Sequence, residues 1–303
     1  MKVTELHPTF GAQVDDVDVA GPLADATLDE LRRLIDHYGV LVFRDTGLDD
    51  DSHIEFSRNF GYLELGPATP TSADKSGMAR RELFSAGNLD ATGEIVTDEL
   101  AIAHKLGDRL WHTDSSFMPI RSAYSLLLAH EVPRRGGETW FADTRAAYDD
   151  LDAATKAEIS DLQVVHSLWW SRALGGFPID EAEIDRRPSA VQPLCLHHAG
   201  SGRTALYIAA HARDVVGMAR DEGRALLARL WEHACQPRFT FSVSWSVGDL
   251  VMWDNRVTMH RGGAFDERRE RRDLRRTTIR DGAAPEVPDD PFGEMFAASS
   301  STA

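Results

Sequence analysis

Many short runs of apolar and β-branched residues, with only two or three longer helical patterns between them, predict a mainly β chain with flanking helices (α+β). The runs do not repeat as β-α units, so the core is expected to be a jelly-roll barrel buttressed by helices. Thr27-Leu28-Asp29-Glu30 has the form of a capping box, and Leu28, Leu31, Leu34 and Ile35 follow at helical spacing until Gly39. Residues 40–43 are a short, wholly apolar strand, and a second helix starting within residues 49–52 carries Ile54, Phe56 and Phe60 up to Gly61. Residues 66–81 are turn formers and small polar residues and read as a mobile loop. Strands are expected over 83–88, around 94–96 and over 124–130, with Gly136-Gly137 turning the chain into another strand at 138–141.

A helix across 146–162 and a strand at 164–168 come next. Residues 169–192 read as a long irregular insertion of the kind that covers a site. A strand at 206–209 precedes an amphipathic helix at 221–235 that bears Leu226, Leu227, Leu230 and Ala234 and stops before Pro237. Phe239, Phe241, Val243 and Trp245 alternate as a half-buried strand. Gly248-Asp249 would turn that strand into 250–253 as a hairpin. Residues 1–282 are expected to form one domain, and 283–303, rich in Asp, Pro, Ala and Ser, a disordered tail.

The formal charge of −16, from 33 basic and 49 acidic side chains, argues against nucleic acid or an anionic membrane as partner. Cys195 and Cys235 supply neither a disulfide framework nor a cysteine metal site. No apolar signal core opens the chain, and no run approaches the ~18 apolar residues of a membrane span. These features predict a reduced, cytoplasmic protein.

The chemistry concentrates in two segments. One is Trp111-His112-Thr113-Asp114; the other is Met252-Trp253-Asp254-Asn255-Arg256 running on to His260. In an extended segment, side chains two apart share a face, so His112 and Asp114 can reach one metal while Thr113 points away. His260, in a second strand-like stretch, can complete two His and one Asp, the facial triad that holds non-heme Fe(II) and leaves positions open for an oxidant. Taken alone, His-x-Asp is as readily a surface pair; the downstream block is what turns it into a metal site.

Seven arginines fall between residues 268 and 280. Arg272, Leu274, Arg276 and Thr278 share one strand face, and Arg271, Arg275, Thr277 and Ile279 the other. Arginines on a buried face need anions, and the planar fork suits a carboxylate, so a small organic acid is the expected partner. The remaining arginines fit a solvated edge.

WHTDSSF, then GGETWFADTRAAYD, then VGDLVMWDNRVTMHRG running into RRDLRRTTI resemble the taurine/2,4-dichlorophenoxyacetate dioxygenase family, from residue 6 to about 281. AGSGRTALYIAAHA and RRDLRRTTI lie closer to the 2,4-dichlorophenoxyacetate branch. The resemblance implies a double-stranded β-helix and Fe(II) held by His112, Asp114 and His260. It also implies Thr139 and Arg272 on the distal carboxylate of 2-oxoglutarate, and Arg276 on the substrate anion. The implied reaction consumes O2 and 2-oxoglutarate, releases succinate and CO2, and is stimulated by ascorbate. An aryloxyalkanoate-type ether would be hydroxylated and then cleave; a sulfonate, alkyl sulfate or natural-product acid is the alternative. Family habit also implies a homo-oligomer, a dimer or higher.

Asp108 stands where the family often has a substrate-contacting Asn. Trp169, Trp170 and Phe177 could line an aromatic pocket or equally pack a lid. Trp111, His104, His166 and His211 read as structural. Where the herbicide branch has basic side chains before His-x-Asp, this chain has Glu94, with Lys105 and Arg109 only loosely equivalent.

Overall fold

The structure, a computed structural model, describes residues 1–67 and 78–282. Strands β1 (Lys2–Glu5) and β2 (Ala12–Asp15) lead into helix α1 (Asp25–Tyr38), strand β3 (Val40–Phe43) and helix α2 (Asp50–Arg58). Strand β4 (Phe84–Ser85), helix α3 (Glu99–Lys105) and the 3-10 turn Leu106–Arg109 precede β5 (Ser122–Glu131) and β6 (Thr139–Asp143). Helices α4 (Thr144–Asp150) and α5 (Ala153–Ile159) are followed by β7 (Gln163–His166), α6 (Leu168–Leu174) and α7 (Glu181–Arg186). Strands β8 (Ala190–Pro193), β9 (Cys195–His198), β10 (Arg203–Leu206) and β11 (Ala212–Val215) lead to the long helix α8 (Arg220–Ala234). The chain closes with β12 (Thr240–Val243), β13 (Leu250–Asp254), β14 (Thr258–Gly262) and β15 (Asp273–Arg280).

Among the described residues four sheets form: β11-β7-β8, β10-β9, and two that face each other around the site. The larger has seven strands in the order β1-β2-β3-β13-β5-β15-β4, and the smaller has the order β12-β6-β14. Alternate side chains of the large sheet separate into two cores, as the pleat requires. Val40, Val42, Leu127, Val251 and Trp253 pack with Phe141 and Val243 of the small sheet. Their neighbours Leu41, Phe43, Leu126, Leu128, Leu250 and Met252 pack on the other face with Leu31, Leu34 and Ile35 of α1. A strand buried on both faces reads as an unbroken apolar run, which is why residues 40–43 show no alternation. Ala142 and Met259 carry the outer face of the small sheet into a third core with α5 and α8.

Several expectations need correction. Helix α1 begins at Asp25 with Ala24 as its uncapped N-terminal boundary, so Thr27–Glu30 is not a capping box. The box lies at α2, where Asp49 accepts from the Ser52 amide and Ser52 answers. The helix expected over 146–162 is two helices, because Asp152 caps a new one by accepting from the Thr155 amide at 2.9 Å. Residues 169–192 hold α6, α7 and the start of β8, whose N-termini are capped by Ser167 and Asp180. The strand expected at 206–209 is instead β10, ending at Leu206. Gly248-Asp249 does not close a hairpin: β12 pairs with β6 in the small sheet, and β13 pairs with β3 and β5 in the large one. Around 83–96 the regular structure reduces to β4 and a Leu89–Ile95 bridge. The loop expected at 66–81 lies largely outside the described residues, as does the tail from 283.

Gly136 has φ 73°, and a Cβ there would sit 2.1 Å from the Ala264 carbonyl oxygen. Only glycine lets this turn pass under the chain after β14 and deliver β6 to its place. At the other end of β6, Asp143 and Arg145 form an ion pair with both side chains fully buried, Nε to Oδ1 at 3.0 Å. Arg145 also donates to the Asp36 carbonyl at 2.9 Å, tying α4 to α1. Arg145→Met would remove the ion-pair partner of the buried Asp143, leaving it the main-chain N–H of residue 145 at 3.0 Å and Arg203 at 3.8 Å. Loss of about 3 kcal/mol is expected, read as a fall in the urea midpoint; an unmoved midpoint would contradict the pair's structural role.

Candidate active site

The two chemistry-bearing segments meet edge to edge at one residue pair. His112 and His260 exchange both main-chain hydrogen bonds, at 2.9 and 2.7 Å, as an isolated antiparallel bridge. Directly opposed residues of such a pair present their side chains on one face, and the two imidazole centroids are 4.2 Å apart. Two residues on from His112, Asp114 turns its carboxylate to the same place, with Oδ2 at 3.6 Å from His260 Nε2. One ligand atom from each of His112, Asp114 and His260 lies within 4.8 Å of the others, and all three residues are buried.

The surroundings orient these groups. His112 Nδ1 donates to the Leu110 carbonyl at 2.8 Å, which leaves Nε2 with its lone pair free. Burial, with His112 and Arg276 nearby, holds His260 well below the ordinary imidazole pKa. Two imidazoles and one carboxylate suit a divalent iron.

Asp114 Oδ2 accepts from the Ser125 hydroxyl at 2.7 Å, and Ser125 in turn accepts from the Asn255 amide at 2.9 Å. Asn255 Oδ1 accepts from the Asp114 main-chain N–H at 3.1 Å and from the Trp253 indole at 3.0 Å. The other Asp114 oxygen takes a hydrogen bond from Arg276. Ser125 and Asn255 had no role in the sequence reading. Asn255 lay in a motif segment, but nothing in the residue order paired it with Asp114 across 141 positions.

Arg272 immediately precedes β15, whose pairing with β5 shifts register between Asp273 and Leu274, and Arg276 lies on the Asp114 side of the strand. The neighbouring Thr277 faces the opposite way and meets Ser57 of α2 at 2.7 Å. Arg272 is buried, and its Nε donates to the Gly137 carbonyl at 3.3 Å, two residues before Thr139. Burial pushes its guanidinium down to about 10 despite Glu267, Asp108 and Glu138 nearby. A buried cation so weakly compensated is a place for an anion. Thr139, also buried, accepts a hydrogen bond from Trp245.

A cleft with about 800 Å³ of empty space, part of it open to solvent, adjoins this region and is lined by Lys105, Asp108, Arg109, Gly262, Phe265 and Arg272. Asp108 is half exposed into the cleft and bonds Arg172 of α6 at 2.7 Å. The protein around it opposes ionisation, but Arg172, His112 and His104 outweigh that and hold the carboxyl well below its ordinary value. Arg172 lies across Gly107, where a Cβ would be 2.3 Å from its Nη1.

Lys105 and Arg109 also reach the cleft wall, Lys105 bonding the Gly87 carbonyl at 2.7 Å and Arg109 pairing with Glu267. Trp169 is buried and packs with His104 and Phe177 at centroid distances of 6.0 and 5.8 Å, and Arg187 stacks on its ring. Trp170 lies under Arg224 of α8, and Trp111 under Arg261. His211 stands nearer the candidate metal site than its structural reading implied. Its ring is 6.0 Å from that of His112, and its Nδ1 is 3.1 Å from the Ser116 hydroxyl.

Glu64, missed in the sequence, is buried beside the site and accepts from Ser115 at 2.9 Å. Burial raises its pKa to about 7, against the lowering effect of Ser115 and Arg276. A carboxyl raised in the folded state stabilises fully below its unfolded value near 4.5, and that contribution is lost as pH rises through about 7. Metal-free protein is therefore expected to lose about 3 kcal/mol from this group between about pH 4.5 and 7. Glu64→Gln should flatten that part of the melting-temperature profile; parallel profiles would contradict the raised value.

Asp36, His198 and Asp254 form a second candidate metal-holding group. His198 Nδ1 accepts from the Ser201 amide at 3.1 Å, so the neutral ring carries its proton on Nε2, facing Asp254 at 3.1 Å. A protonated nitrogen has no lone pair to give, and this group is a structural clasp.

A β-rich fold that brings two histidines and an aspartate together beside a buried arginine has the makings of a metal-dependent oxygenase. The chain matches the model of the family described as "Taurine catabolism dioxygenase TauD, TfdA family" over residues 2–278, and belongs to that family. It is 42% identical over 275 residues to the alpha-ketoglutarate-dependent 2,4-dichlorophenoxyacetate dioxygenase of Burkholderia sp. (strain RASC), covering 90% of this chain and 92% of that one. It is 34% identical over 276 residues to the (S)-phenoxypropionate/alpha-ketoglutarate-dioxygenase of Sphingobium herbicidovorans, covering 89% and 91%. The crystal structure of AAD-2 in complex with Mn(II) and N-oxalylglycine matches with a TM-score of 0.84 and 39% identity, over 95% of this chain and 99% of that one. Among the described residues, no helix is long and apolar enough to cross a membrane.

Proposed function

We propose that this protein is an Fe(II)- and 2-oxoglutarate-dependent dioxygenase that hydroxylates a small organic acid, an aryloxyalkanoate-type ether, with release of succinate and CO2. The observation that carries the reading is the buried group of His112, Asp114 and His260. The buried, poorly compensated Arg272 beside β6 supports it. In this reading residues 1–282 are one domain on a jelly-roll core formed by the two facing sheets.

His112, Asp114 and His260 would hold the iron, which with 2-oxoglutarate and O2 supplies the oxidant for an unactivated C–H bond. Arg272 and Thr139 would take the distal carboxylate of 2-oxoglutarate. Arg276, beside Asp114, would take the acid group of the substrate and so bring the carbon next to its heteroatom to the metal site. Hydroxylation of an ether carbon gives a hemiacetal, which collapses by C–O cleavage. Asp108 would face the substrate across the cleft, and Trp169 would shape the cover above it with His104 and Phe177.

Succinate formed from 2-oxoglutarate in the presence of Fe(II), ascorbate and O2 tests the reading, screened over aryloxyalkanoates, sulfonates and alkyl sulfates. Stimulation by an aryloxyalkanoate with release of the phenol is the expected result. Stimulation by a sulfonate or alkyl sulfate alone would keep the oxygenase and replace the substrate class. No succinate from iron-loaded, folded protein would overturn the reading.

A further inference from the structure

We propose that Trp245 is a positioning residue for the cosubstrate, its indole fixing the direction in which the Thr139 hydroxyl donates. This rests on the assignment of Thr139 and Arg272 to the distal carboxylate of 2-oxoglutarate. The indole N–H can only donate, and it meets Thr139 Oγ1 at 3.1 Å. A hydroxyl has one proton and two acceptor lone pairs, so with one lone pair filled from the Trp245 side its proton is directed elsewhere. Thr139 sits opposite Val243 on β12 and opposite Gly262 on β14, and Gly262 and Arg272 both line the cleft. Arg272 donates to the Gly137 carbonyl, two residues before Thr139 on the same run of chain.

The indole is presented from a pinned turn. Arg44 donates to the Ser244 carbonyl at 2.9 Å, on one side of Trp245. On the other side, the Ser246 amide donates to Asp249 Oδ2 at 2.8 Å. Asp249 is buried and ion-paired with Arg44, so both neighbours of Trp245 hang from one anchor on the large sheet. A half-buried indole such as Trp245 finds a partner in most proteins simply to be satisfied. The two roles separate experimentally, because a positioning effect must depend on the distal carboxylate of the ligand.

In iron-reconstituted Trp245→Phe, the KM for 2-oxoglutarate should rise about fivefold, the scale of one misdirected hydrogen bond, with kcat at saturating cosubstrate little changed. Calorimetric binding of 2-oxoglutarate to Mn(II)-loaded protein, without turnover, should weaken by the same factor. Binding of pyruvate, a 2-oxo acid with no distal carboxylate, should be unaffected. Thr139→Val should weaken 2-oxoglutarate binding, and adding Trp245→Phe to it should cost nothing more. Equal weakening of both 2-oxo acids by Trp245→Phe, or none while Thr139→Val weakens 2-oxoglutarate, would overturn the proposal. An inert Thr139→Val would instead remove Thr139 from the cosubstrate site. Should Trp245→Phe fail to fold, Arg44→Lys keeps indole and hydroxyl but loosens the turn. It should show the same selectivity at smaller amplitude, and an equal effect on both 2-oxo acids would again overturn the proposal.

Discussion

Asp114→Ala is expected to abolish stoichiometric iron binding and to lower turnover by more than about a hundredfold, the upper range of what even outer partners of a metal site contribute. Asp114 is the one anion in its group, and Arg276 already donates to it. Removing the carboxylate leaves an arginine facing two imidazoles, so a cation would enter a site of like charge. Iron analysis after anaerobic reconstitution reads the first effect, and succinate formation the second. A melting curve on the same sample shows whether the fold survives. Full turnover by the variant would sink the metal assignment. Ser125→Ala, which removes only the hydroxyl that orients Asp114 Oδ2, should cost roughly tenfold in iron affinity.

Arg272→Met should raise the KM for 2-oxoglutarate about a hundredfold, because hydrogen bonds to charged groups contribute about 1.5–3 kcal/mol each and an arginine can make two to one carboxylate. The variant also strips a donor from the Ala86 and Gly137 carbonyls, so some thermal stability goes with it. Binding measured on the folded fraction separates the two effects. With saturating cosubstrate, kcat should recover much of its value, since Arg272 touches the far end of the ligand. An unchanged KM would place the distal carboxylate elsewhere, and Lys105 and Arg109 on the same cleft would become the cations to test.

The site was legible where its chemistry lay in short segments. His112 and Asp114 lie two apart in one short segment, and Arg272 and Arg276 lie four apart, one before β15 and one within it. Boundaries were harder to read wherever capping decided them. Asp152 splits one apolar helical pattern into two helices, and Ser167 and Asp180 start helices in a stretch too poor in periodicity to show them. The supposed hairpin at Gly248 failed for another reason. Two adjacent alternating runs joined by a glycine turn look the same whether they pair with each other or diverge into facing sheets.

Glu64, Arg172 and His211 had no local signature, because each matters through a partner far along the chain. Arg172 meets Asp108 across 64 positions, and Glu64 meets Ser115 across 51. The amino-acid order by itself determined the ligand types, their spacing and the amphipathic faces, since periods of two and 3.6 residues are properties of a local chain. Only the tertiary structure decided that His112 and His260 form one bridge, that Ser125 and Asn255 aim Asp114, and that Trp245 meets Thr139. Those pairings depend on which strands become neighbours, and that choice is made by burying both faces of the large sheet at once.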